Sequence, residues 1–129
     1  MERARSSETG SSVVELVVVL PAAMVLVLLA VQVCLWLVAA ETVGSVASHA
    51  AAVAAGLGGS VASGERAGEA DARSLAGPVV TDPVVAVHRL GPDVVRAVVT
   101  GNAESILPWF HPTVHAVRDV EVQRFRAAP

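Results

Sequence analysis

The sequence predicts an α+β fold: a long N-terminal transmembrane helix with an Ala-rich stalk extension, then a small antiparallel β-sheet packed on the stalk. Three observations carry this. Leu16 to Ala40 contains no charged residue and one polar interruption, Gln32. Apolar residues then continue at helical spacing to a glycine cluster. In the last third of the chain the period shifts from helical to alternating.

The apolar run comes first. A helix over Leu16–Ala40 is about 37 Å long, more than the roughly 30 Å hydrocarbon core of a bilayer. A buried core helix is the competing reading, but the rest of a 129-residue chain with 3% aromatics could hardly wrap it. A secretory signal peptide is a second rival, with Val38 and Ala40 as small residues before a cut. The run is too long for an ordinary apolar signal core and carries Glu15 near its start. Pro21 lies inside the run and predicts a bend, since the Val17 carbonyl loses its hydrogen-bond donor. Cys34 lies in the run as well and, as the single cysteine, cannot form an intramolecular disulfide.

The stalk follows. In "ETVGSVASHAAAVAAGLGG" the residues Val43, Val46, Ala47, Ala50, Val53, Ala54 and Leu57 share one helical face. Glu41, Ser45, Ser48 and His49 fall largely on others. Gly56, Gly58 and Gly59 end the helix. The next stretch, "GSVASGERAGEADARSLAGP", predicts a loop around a short helix with Glu69 and Arg73 as an i,i+4 pair, stopped by Gly77-Pro78.

The β region closes the chain. "VVAVHRL" and "VVRAVVT" flank the turn signal Gly91-Pro92-Asp93, and "TVHAVRDVEVQRF" reads as a third strand with Val120 and Val122 in period-2 register. Three strands alone are marginal, so the sheet needs the stalk or a partner subunit. Trp109 and Phe110, between Pro108 and Pro112, are the densest aromatic pair. They are expected to pack as core against the stalk, with a membrane-interface anchor or a subunit contact as alternatives.

The domain plan is therefore 1–10 as a short, polar, unstructured cytoplasmic leader, 11–56 as transmembrane helix and stalk, 57–78 as a Gly-rich loop with a short helix, and 79–129 as a small extracytoplasmic β domain. Orientation comes from Arg3 and Arg5 before the span and no basic residue after it until Arg66. The net charge is −3 and all nine basic residues are Arg, without a basic patch, which argues against nucleic-acid binding. His111 and His115 are four apart, but Pro112 breaks helical geometry there. With His88 on a strand and no fourth ligand, a metal site is not expected. No nucleophile triad, phosphate-binding loop or paired-carboxylate site stands out, so no cofactor, small-molecule substrate or catalytic residue is expected.

Glu15 remains to be explained. A lone carboxylate at a span centre costs about 2.5–3.5 kcal/mol, and less near an interface. If the chain is cut between Gly10 and Ser11, the new Ser11 ammonium lies four residues before Glu15 on the same helix face. The carboxylate then gains a cation, its own or a neighbouring subunit's, and becomes a register pin for packed helices. The stretch "ETGSSVVELVVVLP" resembles the N-terminal signature of TadE-like proteins of tight-adherence (Flp/Tad) pilus systems, within the type IV prepilin logic. Its elements are Gly10, Glu15 five residues on, an aliphatic run, and Pro21 six after the Glu. Position 16 is Leu where that family often has an aromatic, and residue 11 is Ser.

The resemblance implies a pseudopilin or minor pilin of a Tad pilus assembly or secretion system. It implies processing at Gly10–Ser11 by a prepilin peptidase, and assembly with other pilin-like subunits and an inner-membrane platform. It implies no catalysis. The processing and assembly residues are thus Gly10, Ser11, Glu15 and Pro21. The alternative is an uncleaved bitopic anchor that displays a small extracytoplasmic interaction domain.

Overall fold

The structure, a computed structural model, describes residues 3–125, with side chains from residue 10 onward. The first two residues of the leader and residues 126–129 of the β domain lie outside the described residues. Residues 1–33 and 34–129 form two compact units.

Helix α1 spans Arg3–Ala55, with Pro21 inside it. The expected unstructured leader is helical from Arg3. Extending an existing helix costs far less than nucleating one, and residues 6–10 contain no proline to stop it. The C-terminal end falls where the glycine cluster put it, with Gly56 N–H donating to the Ala52 carbonyl as the last turn closes. In the first unit every large aliphatic residue from Val13 to Val31 is exposed, Leu26 at 68%.

The second unit contains the stalk half of α1 and everything after it. Ala39, Val43, Val46, Ala47, Ala50, Ala51, Ala54 and Ala55 are buried along one stripe of α1. Val53 is half-buried, and Leu57 is exposed because it lies past the helix end in the turn. Helix α2, Val61–Asp71, starts at a reciprocal cap: Ser60 Oγ accepts from Ser63 N–H while Ser63 Oγ accepts from Ser60 N–H. It runs on into one π-helical turn, Ala72–Ala76.

Gly64 and Gly68 seat α2 on its neighbours. A Cβ built on Gly64 would lie 2.6 Å from Ala54 Cβ and 2.7 Å from the Ala50 carbonyl oxygen. One on Gly68 would lie 2.7 Å from Val85 Cγ1. Only a pair of glycines one turn apart allows backbones this close, as in small-xxx-small helix pairs.

The sheet has order β1-β2-β3, with β1 Val80–Arg89, β2 Val94–Ala103 and β3 Thr113–Glu121, both pairings antiparallel. In β2 the buried positions alternate strictly: Val95, Ala97, Val99, Gly101 and Ala103 face in. In β1 the pairing shifts between Thr81 and Val84, at Asp82 (φ 50°) and Pro83. This bulge moves the inward face from even to odd positions, so Val80 is buried before it and Val87 after it. Proline is tolerated there because β1 is an edge strand.

Two apolar clusters tie sheet to stalk. One joins Ala39, Val43, Val46 and Ala47 with Val80, Val99, Ala103, Val114 and Ala116. The other joins Ala50, Ala51, Ala54 and Ala55 with Val87, Val95 and Ala97. The sheet thus uses the stalk as its second layer, as a three-stranded sheet requires. Helix α2 covers the free edge of β1, where Val87 N–H donates to Glu65 Oε1 at 3.3 Å.

Candidate functional site: the N-terminal half of the long helix

Gly10, Ser11, Glu15 and Pro21 all lie on α1 and are exposed. Helical periodicity alone arranges them. Ser11 and Glu15 share a face, about 6 Å apart along the axis. Ser12, Glu15, Leu16 and Val19 border a shallow groove on the helix surface. Among the described residues no basic side chain pairs with Glu15.

Gly10 has a specific geometry. A Cβ built there meets nothing within 4 Å, and its backbone is ordinary right-handed helix. Glycine inside a helix costs roughly 1 kcal/mol relative to alanine. At Gly64 and Gly68 that cost brings close packing in return. At Gly10 neither packing nor backbone conformation in this chain calls for it.

The histidines do not assemble. His88 lies on β1, His111 in the β2–β3 loop and His115 on β3. Among the described residues no three His, Cys, Asp or Glu side chains come together as a metal site. Cys34 is exposed on α1. Trp109 and Phe110 are not in the core: they are 79% and 46% exposed in the β2–β3 loop. The buried residues of the second unit are Ala, Val and Gly, and both aromatics stand outside that core.

Charged contacts missed by the sequence reading lie on the outside of the second unit. His49 Nδ1 on the stalk pairs with Asp71 Oδ2 at the end of α2. Arg96 and Asp119, directly opposed on β2 and β3, form a two-pronged pair with both N–O distances 2.7 Å. That hydrogen bonding holds the Asp119 carboxyl below its usual range and raises the Arg96 guanidinium above its own. Arg124 Nη2 reaches Asp93 Oδ1 at 2.6 Å and the Pro92 carbonyl at 2.8 Å, closing the β1–β2 turn against the chain end. The expected Glu69–Arg73 pair is present at 4.0 Å, fully at the surface. The Arg96–Asp119 pair was legible as opposite charges at facing strand positions once the register was known. The His49–Asp71 pair, 22 residues apart, had no local signal.

Together these features define a class: a small α+β body on one helix whose apolar length and composition are those of a membrane anchor. The comparison with known families bears on the anchor and the stalk only. Residues 10–52 match the family model described as TadE-like protein, so the apolar run and most of the stalk face are TadE-like. The match begins at Gly10 and stops before the sheet. The matched segment is similar to the family that the Gly10, Glu15 and Pro21 spacing resembles, over 43 of the 129 residues. No curated protein and no solved structure matches the chain.

Proposed function

We propose that this chain is a pilin-like, non-catalytic subunit of a Tad-type pilus assembly or secretion system. In this role α1 crosses the cytoplasmic membrane with its N-terminus inside. A prepilin peptidase cuts between Gly10 and Ser11, and the mature helix packs beside other pilin-like subunits or the assembly platform. The observation that carries the proposal is the coincidence at Gly10. It is the residue where the TadE-like match begins, it is five before Glu15, and it is a helical glycine with no packing role in the fold.

Glu15 takes its part in the packed state. Facing acyl chains alone, its carboxylate is a cost. Facing the Ser11 ammonium of its own or an adjacent subunit, it is a paired group that fixes axial register. Glu15→Ala therefore leaves membrane insertion intact or improves it by about 1–3 kcal/mol, while weakening subunit association. The test is recovery of partner pilins with wild-type and Glu15→Ala protein at equal membrane levels. Lower recovery is expected, and equal recovery with unchanged pilus output would remove the register role.

An uncleaved bitopic anchor is the second reading. The feature in its favour is helical backbone through the Gly10–Ser11 bond. Peptidases generally bind extended chain, so cleavage requires the first turns of α1 to unwind.

A further inference from the structure

The β2–β3 loop, residues 104–112, holds Ile106, Trp109 and Phe110 out of the core of the second unit, all exposed. The loop is shaped, not slack. Its base is closed by Ala103 N–H to the Pro112 carbonyl at 2.8 Å and Glu104 N–H to the Val79 carbonyl at 2.9 Å. Its tip is turned by Phe110 N–H to the Leu107 carbonyl at 3.1 Å, and Leu107 N–H donates to Ser105 Oγ at 3.1 Å. Pro108 and Pro112 stiffen it. From Ser105 to Pro112 it carries no Asp, Glu, Lys or Arg. A built loop that displays a tryptophan and a phenylalanine needs an apolar partner.

The fold of this unit says at which end of the stalk the loop lies. Gln123 N–H donates to the Ala55 carbonyl at 2.7 Å, so the end of β3 meets the C-terminal end of α1. From there β3 runs back toward residue 113, about 33 Å at strand rise. On the helix, Ala55 back to Ala39 is about 24 Å. The apolar clusters agree, since Ala103 and Val114 group with Ala39 and Val43, whereas Val95 groups with Ala50 to Ala55. The loop therefore lies level with the turn Trp36–Ala39, the last turn of the apolar run, where Trp36, Leu37 and Val38 are themselves exposed. Three of the chain's four aromatics gather at this end, while Phe125 stands alone at the other.

We infer that the 104–112 loop is an interfacial foot that seats Trp109 and Phe110 in the headgroup layer of the bilayer that α1 crosses, beside Trp36. The occupant is lipid because the loop is uncharged from Ser105 to Pro112, with the exposed Glu104 at its base, and lies level with the exposed Trp36, and because tryptophan at the boundary of a span is the usual interface anchor. This rests on the reading of α1 as a membrane helix. The foot gives the β body an attachment to the bilayer besides α1.

Two single-tryptophan variants of the full chain, in phosphatidylcholine vesicles with and without brominated acyl chains, test this. Trp109→Phe leaves Trp36 as reporter, and Trp36→Phe leaves Trp109. Both reporters should be quenched by bromolipid, and Trp109 should resist aqueous acrylamide. Quenching of Trp36 with Trp109 open to acrylamide overturns the foot and keeps the span. Failure of bromolipid to quench either overturns the span and the foot together. Trp109 shielded from both quenchers places protein on the patch, a second copy or another subunit, and overturns the lipid assignment.

Discussion

The two halves of α1 are equally helical and are built from the same few residue types, yet they meet their surroundings in opposite ways. From Val13 to Val31 the large residues Val, Leu and Met stand exposed around the whole circumference. From Ala39 to Ala55 one stripe of Ala and Val is buried and the opposite face carries Glu41, Ser45, Ser48 and His49. The first half is bulky all round because every direction must be apolar, the condition for a helix in lipid or among other apolar helices. The second half is lean on one side because that side must admit a sheet and a second helix at short range. Side-chain volume, more than hydrophobicity, separates a helix that brings its own protein partner from one that needs a partner elsewhere.

The strongest way to break this contrast is to add volume on the lean side. Gly64→Leu forces a side chain into backbone and Ala54 that are already at contact distance. Overpacking of this kind costs about 3 kcal/mol or more. The expected result is loss of the cooperative thermal transition of the detergent-solubilised chain, read by circular dichroism.

Adding charge on the bulky side should do the reverse. Leu26→Arg introduces a penalty of about 2.5–3.5 kcal/mol at the centre of a span. The variant should be released from membranes by carbonate while its thermal transition stays where it was. A shift in that transition would contradict the contrast between the two halves.

Removing volume sharpens the comparison further. Val46→Ala deletes two methyl groups from the first apolar cluster and should cost about 1–3 kcal/mol, whereas Val17→Ala should leave the melting temperature unchanged.

The smallest effect belongs to the surface pair Arg96–Asp119. Because Asp119 titrates lower in the folded chain than its usual value of about 3.9, the pair stabilises the fold above that value. The contribution is lost as pH falls through the folded value. Asp119→Asn should therefore lower the melting temperature slightly at pH 7, and the difference should close below about pH 4.

Much of the fold could be read in one dimension. The stalk stripe, its end at the glycine cluster, the Gly91–Asp93 turn and the three strands all follow from period and turn chemistry, which act over a few residues. What escaped was set by distance in space. The bulge at Asp82–Pro83 changes the face of β1, and local alternation does not show where the shift falls. Gly64 and Gly68 looked like loop residues because their role appears only when α2 meets Ala50 and Ala54. Trp109 and Phe110 were expected in the core since apolarity alone does not say which apolar environment a ring will occupy. The candidate processing and assembly residues need the least tertiary structure to be placed. Gly10, Glu15 and Pro21 are placed by helix spacing with no tertiary help, and the TadE-like match starts at the first of them.

The central claim, that Gly10 marks a processing site in a pilin-like membrane subunit, is tested most directly by mass spectrometry of the N-terminus of the native protein, made with its cognate peptidase present. The expected mature chain begins at Ser11, and Gly10→Leu, which the fold tolerates because its Cβ meets open space, should retain the leader. A native protein that still begins at Met1 or Glu2 would contradict the claim.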